Sequence, residues 1–118
     1  MSVTLQAVTF DCANAARLAG FWSEVLERPV DDGASGEFAA ISPADGQLSG
    51  STLMFIRVPE AKQVKNRVHL DLGAADLAAE TERVVKLGAS LVADHEEGGT
   101  RWSTLTDPEG NEFDIAQA

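Results

Sequence analysis

The chain has 118 residues, the size of one ordinary domain, and such a length can bury roughly two-thirds of its unfolded surface. Nine Lys and Arg against nineteen Asp and Glu give a net charge of −10, which repels nucleic acid and anionic lipid and excludes both as expected partners. No apolar run reaches the roughly 18 residues of a membrane helix, the start MSVTLQAVTF lacks a basic n-region, and the single cysteine, Cys12, allows no internal disulfide; we therefore expect a cytoplasmic protein.

In chain order, Ala7-Val8-Thr9-Phe10-Asp11 alternates as a half-buried strand does. Asn14 is a good N-cap for a helix over 15–26, whose apolar stripe is Leu18, Phe21 or Trp22, and Val25. Short β-type runs follow at 30–32, 37–42 and 52–58, with a proline and glycine turn at 43–46. A polar connector spans 59–65. His69-Leu70-Asp71-Leu72 alternates again, and Asp76 caps a second helix over 77–87 with the stripe Leu77, Thr81, Val84 and Leu87. Gly88 suits the positive-φ residue that ends it. Three more β-type runs lie at 90–94, 101–106 and 112–116, with a turn at 108–110 between the last two.

The two halves repeat. His69 stands 62 positions after Ala7, as Asp76 does after Asn14, and Trp102-Ser103-Thr104-Leu105-Thr106 stands 64 after Phe38-Ala39-Ala40-Ile41-Ser42. The expected fold is α+β, one domain of two βαβββ modules at 1–58 and 66–118. Val8, Phe10, Leu70, Leu72, Phe113 and Ile115 would face the helices, leaving Ala7, Thr9, Asp11, His69, Asp71, Glu112 and Asp114 on the other side. Periodicity alone favours a flat, solvated face there. If the sheets curl, the same residues line a cleft holding an imidazole and several carboxylates, a set suited to a divalent metal or to acid–base chemistry.

The segments RVHLDL, GFWSEVL and TDPEGNEFDI resemble the vicinal oxygen chelate superfamily, and within it the small glyoxalase-like and bleomycin-resistance-like domains. The resemblance covers nearly the whole chain. It implies paired βαβββ modules whose mixed sheets curl around a cleft, and a homodimer. It further implies, for metal-dependent members, four ligands, one on the first and one on the last strand of each module. The second-module positions fall on His69 and on Asp114, where a glutamate is usual. The first-module counterpart of His69 is Ala7, which has no donor, and the strand over 51–57 offers apolar side chains near the fourth position. Half of the cage is absent, so a divalent ion (zinc, nickel, manganese or iron) stays an open alternative, with Asp71 and Asp11 as the nearest further donors.

His69 is thus a candidate ligand, general base or hydrogen-bond donor, and otherwise a histidine held by Asp71 or Asp114. Asp114 is its candidate partner. Phe38 and Trp102 occupy equivalent places in the two halves and, with Trp22 and Phe55, are candidate aromatic walls for a planar or cationic ligand; the alternative for each is core packing. Thr9 and Asp71 complete the candidate binding set. Cys12 reads as a small buried hydrophobe, His95 as an exposed residue without a particular role, and Arg57 and Arg101 as unplaced cations. Two functions remain open. One is a small-molecule-binding protein without chemistry. The other is a lyase or isomerase using His69 with an acidic partner, with or without a weakly held metal.

Overall fold

The computed structural model describes residues 2–43 and 51–118, so positions 44–46 of the expected turn at 43–46 lie outside the described residues. The chain forms two compact units, Met1–Ala61 and Lys62–Ala118, both mixing helix and sheet in the α+β manner.

The first unit contains β1 (Ala7–Cys12), α1 (Ala15–Leu26), β2 (Phe38–Ile41) and β3 (Thr52–Arg57). Its sheet has the order β1-β3-β2, with β1 parallel and β2 antiparallel to β3. Asn14 accepts the Arg17 N–H at 3.1 Å and so satisfies a first-turn donor of α1. The apolar stripe Leu18, Phe21, Trp22 and Val25 is buried. Phe10 closes the core from below, with its ring 5.5 Å from Trp22 and 5.1 Å from Phe55.

The strand expected over 30–32 does not form. Only the Asp31 N–H reaches β2, at the Ala40 carbonyl (2.8 Å). The Asp31 carboxylate instead turns back on the Ser42 N–H (3.2 Å) and hydroxyl (2.6 Å), and Pro29 just before it has no N–H to give to a ladder. The helix ends on Glu27 in the left-handed region, φ 55°, a place where glycine would be the ordinary choice.

The second unit contains β4 (Asp71–Ala74), α2 (Leu77–Leu87), β5 (Ser90–Glu97), β6 (Thr100–Thr106) and β7 (Glu112–Gln117). Here the full βαβββ order appears, with sheet order β4-β7-β6-β5 and β4 parallel to β7. Asp76 accepts the Ala79 N–H at 3.1 Å and caps α2, while Gly88 ends it at φ 128°. Leu77 and Val84 of the stripe are buried over Leu105, Phe113 and Ile115 of the sheet layer. The strand expected to start at His69 begins two residues later, because pairing with β7 opens at the Leu70 carbonyl, which accepts the Asp114 N–H at 2.9 Å.

Candidate functional site

Parallel pairing of β4 with β7 sets Asp71 directly beside Asp114. In-register neighbours share a face, so the two carboxylates stand together. His69 lies two residues before Asp71. Its Nε2 is 3.3 Å from Asp71 Oδ1 and 3.4 Å from Asp114 Oδ2, and the three donor atoms lie within 4.8 Å of one another. Adjacent like charges repel, and a hydrogen on Nε2, or a cation in its place, offsets that repulsion. Asn66 holds the approach to the cluster: its Oδ1 accepts the Glu112 N–H at 2.8 Å and its Nδ2 donates to the Glu112 and Val68 carbonyls.

Asp114 is the least exposed member, with 18% of its side chain open. Its second oxygen, Oδ1, accepts the Thr104 hydroxyl at 2.7 Å. Thr104 Oγ1 is also 3.2 Å from His95 Nε2. The His95 ring stacks on Trp102, with centroids 4.9 Å apart and planes 19° from parallel. A continuous line of contacts therefore crosses the sheet from Asp71 through His69, Asp114, Thr104 and His95 to Trp102. His95 is exposed, as read from the sequence, yet its ring has defined partners in Thr104 and Trp102. Thr104 went unnoticed there because a threonine in a β-type run is ordinary; its one signal is the registry that sets it opposite Asp114.

The remaining candidates belong to the first unit. Thr9 is exposed on β1 and pairs with Met54. Phe38, 42% exposed, opens β2. Trp22 and Phe55 are corrected: at 1% and 0% exposure they are core side chains, and their surface is taken up by Phe10 and by each other's helix and strand. Ala7 and Met54 hold the places equivalent to His69 and Asp114; one has no donor and the other only a thioether. Cys12 is buried, as read. Arg57 pairs with Glu37 at 3.2 Å, and Arg101 lies across from Glu96 on β5.

The donor set in the second unit, one imidazole nitrogen and two carboxylate oxygens, fits a divalent ion that keeps several positions for water or substrate. A separate groove of about 730 Å³ runs along α2, bordered by Leu77, Val85, Leu91, Arg101 and the His95–Trp102 pair. None of the three cluster residues lines it.

Fold and cluster together define a small α+β protein of two modules, the second carrying a polar sheet face. The chain belongs to the glyoxalase-like family, whose domain model matches residues 7–116. A comparison with curated proteins finds no match. Among solved structures it is similar to a glyoxalase/bleomycin resistance protein/dioxygenase family enzyme from Burkholderia phytofirmans PsJN (18% identity, TM-score 0.78, 97% of this chain and 98% of that one). It is also similar to a mutant of the fosfomycin resistance protein FosX from Listeria monocytogenes, solved with Mn(II) and 1S,2S-dihydroxypropylphosphonic acid (12%, 0.78, 100% and 92%). A third likeness is to lactoylglutathione lyase from Agrobacterium tumefaciens (12%, 0.67, 98% and 94%). At these identities the likeness establishes the fold, with its curled mixed sheets. Among the described residues no helix is long and apolar enough to cross a membrane.

Proposed function

We propose that the protein binds a small planar or cationic molecule, with its charged part at His69, Asp71 and Asp114 and its planar part against Trp102. The observation that carries this reading is the convergence of three donor atoms within 4.8 Å on an accessible sheet face. Two carboxylates favour a positive group by Coulomb attraction, and the net charge of −10 attracts cations over longer range. We place the protein in the cytoplasm as a homodimer acting as one domain; light scattering should give twice the chain mass of 12.5 kDa.

A second reading, a lyase or isomerase, is favoured by the same three donors. His69, Asp71 and Asp114 are the residues that would hold a divalent ion, which when bound supplies Lewis-acid polarisation of a substrate oxygen. For the chain's own part, Asp71 and Asp114 orient the imidazole through Nε2, which leaves Nδ1 as the nitrogen offered to a substrate proton. The FosX and lyase relatives lend this reading its chemistry class.

One experiment separates the two. Ethidium is titrated against the fluorescence of Trp102 in a Trp22→Phe background, and Mn2+ is tested by thermal shift. A planar-cation binder quenches with ethidium and loses that response on Asp114→Asn. A metal site at 100 times its Kd gains about 2.7 kcal/mol, a melting rise on the order of 10 °C. Silence with both probes overturns both readings.

A further inference from the structure

We infer that Thr104 and His95 are positioning residues for Asp114, so that the cluster is oriented by a hydrogen-bond chain reaching across three strands to the Trp102 ring. The inference rests on the proposed role of the His69 cluster and says how that cluster is held.

Counting hydrogens fixes the direction of the chain. A carboxylate only accepts, so the 2.7 Å contact between Thr104 Oγ1 and Asp114 Oδ1 uses the one hydrogen of the hydroxyl. The 3.2 Å contact between Thr104 Oγ1 and His95 Nε2 must then be donated by the imidazole. His95 is thereby held with its hydrogen on Nε2, whatever the state of Nδ1. Stacking on Trp102 fixes the plane of the ring that donates.

The consequence reaches the cluster. The terminal torsion of an aspartate is soft and roughly two-fold. With Oδ1 tied to Thr104, Oδ2 is the oxygen left to face His69 Nε2, as observed at 3.4 Å. Charge on the hydroxyl oxygen also rises when it accepts from His95, which strengthens the bond it donates. The first unit supplies an internal control. Pairing places Met54 where Asp114 stands and Ala40 where Thr104 stands. Where the acid is missing, the hydroxyl is missing too.

The test uses four variants of the full chain, each checked for cooperative melting. Thr104→Val and His95→Phe remove a link, the second keeping a ring against Trp102. Thr104→Ser and His95→Gln keep the hydroxyl and an N–H donor at comparable reach. Two quantities are read: the ring 15N and 13C shifts of His69, and the affinity for Mn2+ alone. The first pair should move the His69 resonances and weaken Mn2+ about tenfold; the second pair should leave resonances in place and affinity within about twofold. Absence of Mn2+ binding by the unaltered protein, with His69 still responding to Thr104→Val, would remove the metal reading and keep the positioning one. His69 shifts unmoved by Thr104→Val and His95→Phe would overturn the inference, and so would equal effects of His95→Phe and His95→Gln, since the donor would then not matter. If Thr104→Val fails to fold, the His95 pair decides.

Discussion

Phe55 has no exposed surface and Trp22 about one per cent, and both rings close on Phe10 at 5.1 and 5.5 Å. An aromatic that is already surrounded can contribute to a ligand only by giving up its packing, and cores are too dense to allow that freely. Trp102 differs, because it is half-buried and its one ring partner among the described residues is His95. The two kinds of residue should separate in experiment. Phe55→Leu is expected to cost roughly 1–2 kcal/mol of stability in urea unfolding and to leave ethidium affinity unchanged. Trp102→Leu is expected to change stability by less than about 1 kcal/mol and to weaken ethidium several-fold. The reverse pattern would return Phe55 to the binding set.

At the scale of elements, the hairpin of β6 and β7 decides where the site residues meet, since it sets Thr104 opposite Asp114. Its turn is organised by Asp107, which is 3% exposed. Oδ1 of Asp107 accepts the N–H groups of Glu109 (2.9 Å) and Asn111 (3.0 Å), and Asn111 Nδ2 reaches both of its oxygens. Gly110 supplies the reversal at φ 87°. Truncating Asp107 to alanine removes the buried acceptor of several half-buried donors, and we expect a loss of about 2–3 kcal/mol with faster amide exchange in β6 and β7. Replacement that leaves stability within 0.5 kcal/mol, a range ordinary for surface changes, would show that the turn needs no such anchor.

This turn was legible in the sequence, as were both helix caps, the buried stripe of α1 and, in α2, Leu77 and Val84, while Thr81 and Leu87 of that stripe are only half-buried; each depends on residues only a few positions apart. The arrangement of His69, Asp71 and Asp114 was legible as a shared face and no further. What the sequence left hidden depends on partners far along the chain. Residues 30–32 have a β-type composition, yet one backbone bond reaches β2 and the Asp31 side chain takes the rest. His95 sits beyond a register shift between Leu91 and Ala93. Such a slip changes which face the following side chains take, so the run Asp94-His95-Glu96-Glu97 could not be oriented by counting.

At the scale of the whole molecule, the two units share a pairing scheme and differ in the chemistry it carries. Pairing in the first unit sets Thr9 beside Met54 and Met54 beside Ala40; the second sets Asp71 beside Asp114 and Asp114 beside Thr104. Phe38 and Trp102 hold equivalent places at the rim of each set. The aromatic feature is therefore retained in both units, while every ionisable group of the cluster belongs to the second. Affinity for a small cation should follow that asymmetry. Asp71→Asn and Asp114→Asn each remove a full charge a few ångströms from the bound ion and should weaken Mn2+ by tenfold or more, the scale expected when a carboxylate ligand or its support is lost. Thr9→Ala and Met54→Leu alter the register-equivalent places without touching a charge, and should leave Mn2+ affinity within about twofold. Calorimetric titration of the four variants reads this directly. Equal losses from both units would mean that the cation is not held by the second unit alone, and the three-donor cluster would have to give up its role as the complete protein ligand set.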